Sequence, residues 1–112
     1  MPELVWLASF EGDVADVYER REEWRADAGD AFFTALSADL AILRAHPFAG
    51  PGAKRTPVRS LRVIQRRYSV LYVVENRGVM LHALLDNLAD PETMERRLRE
   101  ILRRLGWPPG PE

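Results

Sequence analysis

The apolar positions of this chain keep one spacing in its first half and another after residue 57. Between Phe10 and Leu43 they recur at helical intervals. Phe10, Val14, Val17, Tyr18 and Trp24 fall near one stripe, and Phe32, Phe33, Leu36, Leu40 and Leu43 form a second. From Arg59 onward they crowd into short runs that read as strands at 59–65, 68–75 and 78–85. Residues 70–74 and 79–85 are apolar on both faces, which predicts central strands covered on both sides. A brief apolar run, Glu3 to Ala8, predicts a further strand ahead of the helices.

Boundary residues divide the pattern into elements. Ser9 is a candidate N-cap for the first helix. Glu11, Asp13, Asp16 and Glu19 sit early in that helix and Arg20, Arg21 and Arg25 late, as the helix dipole favours. Asp27 to Asp30 breaks the chain, and the second helix is expected to end near His46, because Pro47 disfavours a helical residue before it. At that end His46 is expected to cap the last carbonyls. Residues 46–57 form one proline- and glycine-bearing loop, and Asn76-Arg77-Gly78 supplies a positive-φ turn between two strands. Asp90-Pro91-Glu92 starts a last helix with Met94, Leu98, Ile101, Leu102 and Leu105 on one face, and Gly106 stops it. The predicted fold is therefore α+β in the order β-α-α-β-β-β-α. It is a small, mainly antiparallel sheet with a helical hairpin on one face and a C-terminal helix. Residues 1–106 are expected to form one domain, with 107–112 a loose tail apart from Trp107.

Composition narrows the chemistry. The chain of 112 residues has no cysteine and two histidines, His46 and His82, which excludes disulfides and thiolate metal sites. No metal or organic cofactor is expected. No apolar run approaches the roughly 18 residues needed to span a bilayer. The N-terminus lacks a basic segment followed by a long apolar one, so a cytoplasmic bacterial-type protein without a signal peptide is expected. The net charge of −1 divides unevenly. Residues 1–50 carry ten acids and four bases (−6), and residues 51–112 carry seven acids and twelve bases (+5). The basic half is a candidate face for an anionic or acidic partner or a solvated surface, and the arginine-rich side of the last helix could meet an acidic partner or nucleic acid or be a solvated face. Lys54 and Arg55 lack the spacing of a phosphate-binding loop.

Arg59-Ser60-Leu61-Arg62-Val63, then Tyr68-Ser69-Val70-Leu71-Tyr72-Val73, then Asp90-Pro91 follow a helical hairpin and a His46-Pro47-Phe48-Ala49-Gly50 loop. This ordered set resembles the RelE/ParE superfamily of type II toxin–antitoxin toxins over residues 3–95. In the mRNA-cleaving members an arginine follows the tyrosine that opens the aromatic-led strand, and this chain has Ser69 there. Those members also place basic or proton-transferring groups just after the last strand, where this chain has Asp86-Asn87-Leu88-Ala89-Asp90. The resemblance thus implies a ParE-like (plasmid stabilisation) toxin that acts by binding DNA gyrase and is neutralised by a cognate antitoxin. That antitoxin would wrap the hairpin and sheet. A ribosome-dependent mRNA endoribonuclease and a non-toxic binding module are the alternatives.

The residues themselves point the same way. Cleavage by 2′-hydroxyl attack needs a base, an acid and cationic stabilisation, and arginine is no base near neutral pH. Arg59, Arg62 and His82 are the weak catalytic candidates. Arg59, Arg62, Arg66 and Arg67 are the candidate partner-binding set. Arg59 and Arg62 are expected on one face of their strand, and Arg66 and Arg67 in a turn. Tyr68 and Tyr72 are expected to share a core face with Val70, and His82 is expected to be semi-buried and hydrogen-bonded.

Overall fold

The computed structural model describes residues 2–53 and 55–110. The elements run β1 (Leu4–Trp6), α1 (Ala8–Trp24), α2 (Ala28–Leu40), α3 (Ile42–Ala45), β2 (Val58–Val63), β3 (Tyr68–Glu75), β4 (Gly78–Asp86) and α4 (Pro91–Leu105). This is the α+β order the apolar pattern predicted, with the second helix interrupted at Ala41 before a last turn, α3. The chain break falls at 25–27, where Asp27 takes a left-handed φ of 69°, and Gly29 and Asp30 lie inside α2. Lys54 and the last two residues of the tail, Pro111 and Glu112, lie outside the described residues.

The sheet order is β1-β4-β3-β2, with β1 parallel to β4 and the other pairs antiparallel. Two apolar layers sandwich it. Phe10, Val14 and Val17 of α1 and Phe32, Leu36 and Leu40 of α2 pack on Tyr68, Val70 and Tyr72 of β3. On the other face Ile101 of α4 meets Val58, Leu71, Val73, Ala83 and Leu85. The central strands are thus buried on both sides, as their unbroken apolar runs require. Each fully buried Leu or Phe contributes about 1.5–3 kcal/mol, so the two layers supply most of the drive to fold.

Strand β4 carries a bulge. Leu71 pairs with Ala83 while Tyr72 pairs with Leu81, so His82 is the extra residue. The bulge exchanges the faces of β4. Val79 and Leu81 face the helical hairpin before it, and Leu84 does so after it.

The β2 edge, and the part of β4 that β1 does not cover, are closed by loop or side chains. Beyond Trp6, α1 takes over the β4 edge. Ser9 Oγ donates to the His82 carbonyl at 2.7 Å, and Asp13 Oδ2 accepts the Leu84 N–H at 2.9 Å. Ser9 therefore acts here rather than as a helix cap; the capping position is Leu7. On the β2 edge, Ala53 N donates to Val58 O and Ser60 N to Pro51 O. Gly50 must be glycine at this point, because a Cβ would run into the Ser60 carbonyl.

Helix α4 begins and ends as predicted. Asp90 accepts from Glu92 N at 2.9 Å, and Gly106, at φ 69°, turns the chain so that Trp107 N reaches Leu102 O. At His46 the backbone N–H, bonded to Ile42 O, makes the cap.

Candidate functional site

The four sequence-predicted arginines do not form one patch. Val63 and Leu61 belong to the hairpin layer and Val58 to the α4 layer, so by strand alternation Arg59 shares the hairpin side and Arg62 the opposite side. The same-face expectation fails because they stand three positions apart, an odd step in a period of two. Arg59 is engaged within the fold. Its Nη1 donates to Gly50 O at 2.7 Å and Phe48 O at 3.3 Å, and its guanidinium lies 4.8 Å from the Phe48 ring centroid. It therefore clamps the loop that Gly50 seats, and Gly50 N in turn donates to Tyr72 Oη at 2.9 Å. Burial holds the Tyr72 phenol above its ordinary value of 10.0.

Arg62 is exposed and sits in register with Ser69. Ser69 is buried and its hydroxyl donates to Asn87 Oδ1 at 2.7 Å. Arg62, Ser69 and Asn87 thus come together at the α4 face as one arginine, a committed hydroxyl and an amide. His82 is 4% exposed, with Nδ1 3.5 Å from Arg104 Nη1 and Nε2 unpartnered. Burial first, and then Arg104, lower its pKa to about 4. At neutral pH it is an uncharged side chain shielded from solvent. Among the described residues no three His, Cys, Asp or Glu side chains come together to hold a metal, and no helix is long and apolar enough to cross a membrane.

Arg66 and Arg67 end the β2–β3 turn. Ile64, Gln65 and Arg66 take consecutive left-handed φ values of 54°, 53° and 68°, a conformation costing about 1–2 kcal/mol per non-glycine residue. Two side chains hold it. Asp39 Oδ2 accepts Ile64 N at 2.6 Å, and Asn87 Nδ2 donates to Arg66 O at 2.9 Å. The turn delivers Arg67 to Asp86 in a two-pronged pair at 3.0 Å on each prong. That pair raises the pKa of Arg67 and lowers that of Asp86.

Two concavities flank α1. One, of about 600 Å³, has an apolar floor of Trp6, Val14, Ala15 and Phe33 and a rim of Glu11, Glu19 and Asp30. Trp6 packs on Phe10 at 4.9 Å and on Phe33 at 5.9 Å, yet Phe33 stays 43% exposed. Tyr18 donates to Asp30 Oδ1 at 2.6 Å, and this bond pushes its pKa up to about 12. The other, of about 440 Å³, is cationic. It is bounded by Arg20, Arg21 and Trp24 of α1 and by Arg67, Tyr68 and Asp86. At about 100° per residue, the groove residues 11, 15 and 19 and the cleft residues 20 and 24 lie on opposite flanks of the helix. The charge asymmetry read as two halves of the chain is, in space, also an asymmetry across one helix.

The sequence pattern missed these concavities. Trp24 is on the same stripe as Phe10 and Val17 but is 75% exposed. Arg21 already reaches Tyr68, the first residue of β3, so Trp24 lies one turn past the end of that strand. On α4, Arg97 and Arg104 bind Asp13 Oδ2 and Ser9 Oγ of α1, at 2.6 Å and 3.1 Å, while Arg96, Arg99 and Arg103 are exposed.

The fold has known counterparts. A chain from a solved structure of the chromosomal ParDE toxin–antitoxin system from P. aeruginosa superposes with a TM-score of 0.68 at 16% sequence identity. The match covers 77% of this chain and 96% of that one. No protein-family model matches the chain, and no curated protein matches it. The likeness supports the ParE-like fold that the strand and loop motifs resemble.

Proposed function

We propose that this protein is the toxin component of a type II toxin–antitoxin pair, ParE-like, acting by binding DNA gyrase in the bacterial cytoplasm. A cognate antitoxin would silence it by seating an apolar segment in the groove between α1 and α2. The observation that carries the reading is that groove, with Trp6 and Phe33 left accessible between Glu11, Glu19 and Asp30 on a fold shared with a ParDE chain. Aromatic anchors in a pocket rimmed by charge are what a peptide-binding surface needs. The acidic rim selects basic residues flanking the partner's apolar anchors.

The candidate nuclease groups lend no support to RNA cleavage. His82 is enclosed and neutral, Ser69 is committed to Asn87, and Asp86 is taken by Arg67. The test is induced expression in a bacterial host, with and without an antitoxin supplied from the neighbouring reading frame. Growth arrest with DNA-damage signalling, inhibition of purified gyrase and rescue by the antitoxin are expected. Phe33→Glu should abolish the rescue. Codon-positioned mRNA cleavage would move the protein to the endoribonuclease class, and unimpaired growth would make it a non-toxic binding module.

A further inference from the structure

Arg21 is half-buried, its charge neutralised by no carboxylate among the described residues. Its Nε and Nη2 both donate to one phenol oxygen, Tyr68 Oη, at 3.2 and 2.8 Å, and its guanidinium lies 5.6 Å from the Phe32 ring centroid and 5.5 Å from that of Tyr68. A guanidinium has five N–H donors, so packing holds the group rigid while leaving donors unspent. Arg20, exposed one residue earlier, also has no ion-pair partner among the described residues. Between them and the strained turn, the cleft already displays the geometry it favours, a carboxylate taken by an arginine in two parallel bonds, Arg67 with Asp86. Trp24 supplies a large apolar wall at 75% exposure.

We infer that the cleft formed by Arg20, Arg21, Arg67 and Trp24 is a second docking site, one that takes an acidic protein segment through a carboxylate side chain next to an apolar one. The local charge argues for a short acidic segment over a nucleic acid strand. Arg20, Arg21 and Arg67 against Asp86 leave +2, enough for one or two carboxylates. A phosphate chain leaving the cleft along α1 would meet Asp16, Glu19 and Glu23 in a half of the protein whose net charge is −6. The left-handed turn fits the same role. Asp39 and Asn87 hold it in a costly conformation, and what it does is fix Arg67 at the mouth of the cleft.

This site lies on the flank of α1 opposite the proposed antitoxin groove, and the two assignments stand or fall separately. The probe is an acetylated, amidated peptide of alternating glutamate and leucine, titrated calorimetrically into the full chain and followed by the arginine Nε–H signals in NMR spectra. Saturable, salt-sensitive binding that shifts the Arg21 signal is expected. It should weaken about tenfold in Arg20→Ala and in Trp24→Ala, both exposed positions where folding is not at stake, and stay unchanged in Phe33→Glu. No saturation, binding by either cleft variant as tight as by the unaltered chain, or loss in Phe33→Glu would overturn the site. Displacement of the peptide by oligothymidylate in an Arg20-dependent manner would overturn the choice of an acidic protein segment.

Discussion

Arg97 of α4 and Asp13 of α1 meet at 2.6 Å, and the same Asp13 oxygen accepts the backbone N–H of Leu84. One carboxylate thus joins a helix on each side of the sheet to the edge of β4. One turn earlier on α1, Ser9 repeats the arrangement with Arg104 and the His82 carbonyl.

Asp13→Ala should therefore cost about 3 kcal/mol, since it strands a mostly buried guanidinium and a strand N–H together. Urea denaturation measures the loss, and faster amide exchange at Leu84 locates it. Asp13→Ala combined with Arg97→Met should recover part of the loss, because the only partner then left over is Glu100, whose side chain is 40% exposed and open to water.

His82 sets an acid limit to stability. Its folded pKa, about 4, lies below the ordinary 6.5, so the unfolded chain takes up the proton first as the pH falls. The contribution is complete above pH 6.5 and drains away towards pH 4, by about 3 kcal/mol in all. Asp86 is lowered from 3.8, so its own contribution is lost at still lower pH. Urea midpoints compared at neutral and mildly acidic pH should show the decline, and His82→Gln should flatten it.

The loop seated on β2 depends on Gly50 and Arg59. Gly50→Ala forces the loop off the Ser60 carbonyl and should cost about 2 kcal/mol. Arg59→Ala removes one clamp and should cost about 1 kcal/mol. Thermal unfolding reads both, and limited proteolysis should show earlier cutting within residues 48–57.

The left-handed turn gives a prediction of opposite sign. Gln65→Gly relieves the strain at an exposed position and should stabilise by about 0.5–1 kcal/mol. Asn87→Ala frees Ser69 and the Arg66 carbonyl and should destabilise by about 2 kcal/mol. A rise in melting temperature for the first and a fall for the second test the assignment.

The layers of this fold were legible because they rest on periodicity. The two-faced apolar runs of β3 and β4, the Asp90-Pro91 start and the Gly106 stop are local signals, and each appears where its pattern predicts. What stayed hidden depends on contacts distant in sequence. Ser9 looks like a helix cap until its reach to His82, on a strand far along the chain, is known. Arg59 reads as a free cation until the loop folds back over it. Trp24 is correctly phased for the core, but no spacing rule reports that the strand beneath it has already ended. The left-handed turn carries no glycine to announce it, and it ends β2 at Val63 where the apolar pattern continued to Gln65.

The extra residue in β4 bears on how this chain should be compared with others. From His82 onward the odd-numbered and even-numbered positions exchange roles. A gapless alignment to a homologue with a regular last strand would therefore match core positions to positions on the wrong side from Ala83 to Asp86. Placing a one-residue gap at His82 restores the correspondence. At the low identities typical of such small folds, that single gap decides whether the segment after the strand is matched to the right residues at all.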